Sequence, residues 1–342
     1  MNHAIDSRTL LADAIRLALL GCCIGISGAA RLSAAAEPGS KRIPVIFDTD
    51  IGDDIDDTWA LALLLKCPEL DVKLVVGDQG KSDYRARLIA KLLAAAGRTE
   101  IPIGIGLDAG REGTGPQRDW ITDYNLTSYP GKVHADGVGA IIDTIMNSPE
   151  PITLIAAGPL PNIKAALERQ PEIAEKARFV GMHGSIRRGY GGSKQVAAEY
   201  NVRADPAAGQ KVFTAPWEMT ITPLDTCGLV SLRGPKYAAV RDCRVGLTVA
   251  LIENYRLWWK NNPGSKDDPT RAETTSSTLF DTVAVYLALS RELCTIETLP
   301  IRVTDEGKTV IDPNGKKMAV ATAWKDLGRF EDVLVERLTG GP

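Results

Sequence analysis

The chain has 342 residues, of which 44% are apolar and 24% charged. This is ordinary globular material with ample apolar mass for a large core, and it excludes a disordered tail, a collagen and a multi-span membrane protein. Net charge is −3, from 40 basic and 43 acidic side chains, so no basic surplus draws the chain toward nucleic acid.

Residues 1–36 differ from the rest. Arg8 and Arg16 precede an apolar run that starts at Leu17, and Ala34-Ala35-Ala36 follows as a small-residue cleavage signal. The run is too short to span a bilayer as an ordinary anchor. We expect an export signal removed before Glu37, which would make the protein periplasmic or secreted. Leu19-Leu20-Gly21-Cys22 also resembles a bacterial lipobox, and lipidation of Cys22 would anchor the protein to a membrane. Cys67, Cys227, Cys243 and Cys294 are widely spaced and lack a C-x-x-C pair, so they fit neither a zinc site nor a dense disulfide framework. Buried small apolar residues, with room for one disulfide, is the expectation.

Residues 42–340 read as one α/β domain. Ile43–Asp48 is a short apolar run ending in acids, a buried strand that delivers carboxylates at its C-terminal end. Thr58–Leu65 is helical, Val72–Val76 a strand, Asp83–Ala95 a helix stopped by Gly97, and Ile101–Ile105 a third strand. Val138–Asn147 is helical, Ile152–Ala156 a strand, and Asn162–Arg169 a helix. Phe179–Met182 and Glu218–Ile221 are further strands. The polar stretch Asn261–Thr278 reads as a mobile surface segment, a lid candidate, between helices Gly246–Lys260 and Asp281–Arg291. Alternating strands and helices predict a mostly parallel central sheet with helices on both faces. Ligands then sit outside the C-terminal ends of the strands, where the acids after Phe47 fall.

Those acids are Asp48, Asp50, Asp53, Asp54, Asp56 and Asp57, six carboxylates in ten positions. Held side by side they repel by kilocalories unless a cation, protons or water neutralise them. A buried-looking strand runs in and a helix runs out, which disfavours a merely solvated loop. Carboxylate oxygens without Cys or clustered His point to calcium or magnesium rather than zinc. The spacing is not that of an EF-hand.

Two enzyme templates begin with a strand and D-x-D. The haloacid dehalogenase-like phosphatases need Thr or Val two residues after the second acid, and Gly52 stands there. Asp48-Thr-Asp-Ile-Gly, then Asp56-Asp57 and a helix, resembles the nucleoside hydrolase family instead, with about two extra residues between Gly52 and the pair. Ala156-Ala-Gly-Pro-Leu-Pro-Asn162-Ile resembles the family's G-P-L-T-N-I segment, and Ala198-Glu199-Tyr200-Asn201 its A-E-F-N segment. Val76-Gly77-Asp78, Val133-His134-Ala-Asp-Gly-Val-Gly139 and Phe280-Asp281-Thr-Val-Ala match further family segments in the right order.

The resemblance implies calcium-dependent hydrolysis of the N-glycosidic bond of ribonucleosides. It implies a calcium ion held by the carboxylates of Asp50, Asp57 and Asp281 and the carbonyl of Ala157, with Asp50 as general base toward a water polarised by the ion. It places Glu199 and Asn201 on the ribose hydroxyls, Met182 beside the ribose, and Asp48 as a neighbour of the site. Asp78 and Ser193 stand where many members have Asn. Phe280 occupies the position of a His that in some members protonates the leaving base, and neither His134 nor His183 is at that position. Stacking on Tyr255, Trp258 or Trp259 is the alternative route to activation. The family also implies a homo-oligomer. Two rivals stand beside this reading: a hydrolase of the same fold for another or modified ribosyl substrate, and an exported nucleoside- or sugar-binding protein without turnover.

Overall fold

The computed structural model describes residues 41–340. The signal segment and the candidate lipidation site at Cys22 lie outside them. Ten strands form one sheet: β1 (Ile43–Thr49), β2 (Leu70–Gly77), β3 (Ile103–Gly104), β4 (Val133–His134), β5 (Ile152–Ala156), β6 (Ala177–Met182), β7 (Met219–Thr222), β8 (Cys294–Val303), β9 (Thr309–Ile311) and β10 (Lys316–Trp324). Twelve helices accompany them: α1 (Asp56–Leu65), α2 (Ser82–Ala95), α3 (Gly137–Met146), α4 (Pro161–Arg169), α5 (Ile173–Lys176), α6 (Tyr200–Ala204), α7 (Pro206–Thr214), α8 (Gly234–Arg241), α9 (Gly246–Asn261), α10 (Arg271–Thr274), α11 (Thr282–Leu289) and α12 (Leu327–Thr339).

The strand order is β4-β3-β2-β1-β5-β6-β7-β10-β8-β9. Neighbours from β4 to β10 pair in parallel, while β8 and β9 pair antiparallel at one edge. The mostly parallel sheet anticipated above is present. Its two faces are served by alternation along each strand. Val45 and Phe47 enter one core, and Ile46 the opposite one. Ile155 likewise faces the first core, while Leu154 and Ala156 face the second. Parallel strands coated by helices on both sides must be apolar on both sides, which is why these runs show no polar alternation. Helices α1, α2, α8, α9, α11 and α12 supply the first layer, and α3, α4, α5 and α7 the second.

Some boundaries move. The third strand is only Ile103–Gly104, and the last predicted helix contracts to Thr282–Leu289. The polar stretch after α9 contains a 3-10 turn at Pro263–Lys266 and the short helix α10. All four cysteines in the domain are free thiols, and Cys67, Cys227 and Cys294 are buried.

Strand β1 has β2 on one side and β5 on the other. The chain order therefore reverses at β1, and connections leave the sheet in opposite directions there. This opens a crevice at the C-terminal ends of the strands. Asn162, fully buried in the first turn of α4, ties that crevice together. Its Nδ2 donates to Asp48 Oδ2 at 2.9 Å and to the Gly77 carbonyl at 3.0 Å. Its Oδ1 accepts from Leu107 N at 2.9 Å. One amide thus joins the ends of β1 and β2 to the loop after β3. Asn162→Ala should orphan all three groups and lower unfolding free energy by about 3 kcal/mol, measured by urea denaturation.

Candidate active site

The site grows from the turn between β1 and α1. Gly52 holds φ +122°, and a Cβ there would meet the Tyr84 ring at 2.5 Å. Only glycine combines that backbone with that approach. Tyr84 Oη donates to the Gly52 carbonyl at 2.9 Å and accepts from Gln117 N at 3.0 Å. Arg85, also buried, reaches under the turn from α2. It donates to the carbonyls of Asp50, Ile51 and Gly80 and to Asp53 Oδ2. Lys81 adds an ion pair to Asp53. Burial pushes Asp53 upward, but Arg85 and Lys81 outweigh it and hold the carboxyl below its usual range.

For the remaining acids of the cavity, burial outweighs whatever compensation their surroundings give. Asp56 and Asp57 open α1, and Asp281 immediately precedes α11. One carboxylate oxygen from each lies within 4.8 Å of the others, and all three residues are buried. Thr49 Oγ1 donates to Asp57, and Asp281 N to Asp56 Oδ2 at 3.4 Å. Desolvation, and then repulsion among neighbouring carboxylates, pushes all three well above the ordinary range. Asp50 lies beside them on the same cavity. Burial carries it to about 6, restrained by Arg85 and raised further by Asp53 and Asp54.

These acids form the floor of a cavity of about 360 Å³. Ala157, Met182, Glu199 and Asn201 continue the floor, while Tyr190, Tyr200, Trp258, Asn262 and Phe280 line the cavity with Asp53 and Asp54. Asn201 Nδ2 donates to the carbonyls of Ala157 and Met182 at 3.1 and 3.0 Å. Glu199 caps α6, accepting from Asn201 N and Val202 N, and also accepts from Gly184 N at 2.9 Å. Burial pushes Glu199 up to about 7, against the pull of those three N–H groups.

The structure thus brings together Asp50, Asp57, Ala157, Met182, Glu199, Asn201, Phe280 and Asp281. Asp48 and Asp78 stand behind, fully buried and not on the cavity wall. Asp48 Oδ1 and both oxygens of Asp78 lack a hydrogen-bond partner among the described residues. Burial lifts Asp48 to about 7 and Asp78 well above the carboxylate range. Ser193 is exposed, off the cavity, and its Oγ accepts from Gln195 N at 3.1 Å. His183 is buried beneath the floor with Nε2 3.0 Å from the Gly158 carbonyl, and burial depresses it to about 4. His134 is on the short edge strand β4, off the cavity. Of the aromatic trio on α9, only Trp258 reaches the wall.

Asp56, Tyr190, Tyr200 and Asn262 line the cavity although no site role is expected of them from the sequence. Asp56 was legible, since it is half of the Asp-Asp pair at a helix start. Tyr190 was not, because it lies in a loop with positive-φ glycines at Gly191 and Gly192 and no periodic pattern.

The donor set suits a hard divalent cation: several buried carboxylates, carbonyls nearby, and no thiol or imidazole on the floor. Fold and site together define an α/β protein with a crevice of buried acids at the C-terminal ends of its parallel strands. The chain belongs to the inosine-uridine preferring nucleoside hydrolase family, whose model matches residues 45–332. It is an N-glycosyl hydrolase of ribonucleosides. It is 29% identical over 324 residues to the pyrimidine-specific ribonucleoside hydrolase RihA of Citrobacter koseri, spanning 86% of this chain and 98% of that one. It is 30% identical over 290 residues to the non-specific ribonucleoside hydrolase RihC of Shigella boydii, spanning 80% and 90%. Among solved structures, the purine-preferring ribonucleoside hydrolase of Gardnerella vaginalis superposes with a TM-score of 0.69 at 25% identity, over 87% of this chain and 98% of that one. The Bacillus anthracis inosine-uridine preferring enzyme shares the fold, with a TM-score of 0.68 at 19% identity over 87% of this chain and 100% of that one. The phosphatase template and the non-catalytic binding protein are thereby set aside.

The raised carboxyls fix a pH dependence. Unfolded, they ionise near the ordinary aspartate value of 3.8, and folded they ionise higher. Without a cation, the native state holds more protons, so stability falls as pH rises from about 4 through the folded pKa values. Cation binding needs ionised ligands and offsets that loss. Millimolar calcium should therefore raise Tm by about 5 °C or more at about pH 7.5, and by less at about pH 5, in thermal melts with and without chelator.

Proposed function

We propose that the cavity binds a ribonucleoside with its ribose on a calcium ion at the acidic floor, and that Asp50 is the general base of the hydrolysis. The convergence of buried oxygens from Asp56, Asp57 and Asp281 beside Asp50 carries this reading. Asp50, Asp57, Asp281 and the Ala157 carbonyl are the expected ligands, and Asp56 joins them from its position in the triad. Calcium is favoured over magnesium because it accepts many carboxylate and carbonyl oxygens in irregular geometry, whereas magnesium keeps several waters. When bound, the cation neutralises the acids and polarises the ribose diol and a water.

The chain's own residues do the rest. Asp50 takes the proton of the attacking water, and its elevation toward neutral pH suits a base that must both hold and release a proton. Glu199 and Asn201 grip ribose hydroxyls from the floor. The anionic floor favours the positive charge that develops at C1′ and the ring oxygen. Asp48 and Asp78 support Asp50 from behind rather than touch the sugar. At the leaving group, Phe280 offers no proton. Trp258, Phe280 and Tyr190 offer apolar surface instead, which supports activation of the base by stacking. Residues 1–36 retain the reading of an export or lipoprotein signal.

The absence of an imidazole at Phe280 favours a second reading, a preference for ribosides whose leaving group needs no acid. Incubation with inosine, uridine, adenosine and p-nitrophenyl riboside, with and without chelator, separates the two. Ribose release from nucleosides that stops with chelator supports the first reading, and cleavage of the nitrophenyl riboside alone supports the second. Asp50→Asn should cut kcat by about 10³-fold or more in a folded variant, and full activity in that variant would refute its role as base.

A further inference from the structure

The segment Asp53-Asp54, which carries the extra length between Gly52 and the acid pair, is fixed from several sides. Lys81 and Arg85 hold the Asp53 carboxylate. Trp258 Nε1 donates to the Asp53 carbonyl at 3.0 Å, and Gln117 Nε2 to the Asp54 carbonyl at 2.8 Å. Gln117 is itself buried, and its Oε1 accepts from Asn254 Nδ2 at 2.8 Å. The backbone of this segment is therefore rigid. The Asp54 side chain is treated differently from that of Asp53. It lines the cavity, is solvent-exposed, and has one hydrogen bond, from Ile55 N to Oδ1 at 2.7 Å. No ion pair with Asp54 occurs among the described residues.

Asp54 is thus a carboxylate at the open side of the cavity, while the acids of the floor are buried. Trp258, bonded to the Asp53 carbonyl, lines the same cavity as Asp54. Asn262 also lines the cavity, and its Oδ1 is committed to Gly264 N at 2.9 Å, which leaves its Nδ2 as a donor. An acceptor and a donor at the rim, beside an aromatic wall, match the edge of a nucleobase whose ribose lies on the floor.

We infer that Asp54 is a specificity-determining residue that accepts hydrogen bonds from ring N–H and amino donors of the base, with Asn262 as its donor counterpart, and so selects 6-oxopurine nucleosides, guanosine above inosine. This rests on the proposed placement of the ribose on the acidic floor. Guanine presents two adjacent donors that a carboxylate bridges, hypoxanthine presents one, and a nitrophenyl group presents none. The carboxylate is a recognition device: it strengthens binding of a base that carries N–H donors and makes no hydrogen bond to a nitrophenyl group.

The test compares wild type with Asp54→Ala and Asp54→Asn on guanosine, inosine, 1-methylinosine and p-nitrophenyl riboside at saturating calcium. The nitrophenyl riboside rate of each preparation corrects for folding and cation loading. The kcat/KM ratio of guanosine to nitrophenyl riboside should fall at least tenfold in Asp54→Ala, mainly through KM, with a smaller fall for inosine and in Asp54→Asn. Wild type should prefer inosine to 1-methylinosine, and Asp54→Ala should lose most of that preference. Unchanged ratios in an active enzyme would overturn the inference alone. A wild type that releases no ribose from any substrate would overturn the floor reading as well.

Discussion

Buried negative charge is the constraint around which this protein is arranged. Four carboxylates, Asp50, Asp56, Asp57 and Asp281, share one cavity floor. The effective cost of taking a carboxylate out of water is several kcal/mol per ion. The starts of α1 and α11 lie at the floor, and a helix N-terminus returns only about 0.3–1 kcal/mol to an acid placed there. Two helix starts cannot offset four buried charges. Protons or a cation must make up the difference, and the raised carboxyls are the proton solution.

Arg85 shows how the fold keeps that demand unmet by its own residues. A buried guanidinium so close to the acids could have quenched them by a bidentate pair. Its donors go instead to the carbonyls of Asp50, Ile51 and Gly80 and to Asp53. The cation of the scaffold fastens the backbone of Asp50 and leaves the Asp50 carboxylate facing the cavity. Rigidity and reactivity are thereby assigned to different atoms of the same residue.

Much of this was legible before any coordinates. Ile43–Asp48 is apolar on both faces because β1 is sandwiched, and its acids are placed by the rule that crevices open at strand ends. The motif order located the floor residues from Asp50 to Asp281. Less local features were hidden. β8 and β10 are partly exposed antiparallel neighbours toward one end of the sheet, and Pro300 interrupts the apolar pattern of β8. The loop from Gly184 to Gly192 is set by positive-φ glycines, so its direction follows no residue period. Ser193 therefore matched a family position by count yet lies on the exposed side, while Tyr190, three residues earlier, reaches the cavity.

The division of the cavity explains why the Phe280 substitution is compatible with the rest. An imidazole beside the floor would compete for the same anionic field, and its protonated form would partly neutralise it. Phe280 avoids that, and its ring meets Tyr190 edge to face at 6.1 Å. Such an aromatic contact adds about 0.5–1.5 kcal/mol beyond area burial. The wall thus becomes stiffer and more apolar where a proton donor is lost. Apolar surface beside the floor lowers the local dielectric and strengthens charge interactions there. On the proposed placement of the ribose, the missing acid is then offset in part by a stronger field on the sugar, and the chemistry of the cavity is weighted toward the sugar rather than the base.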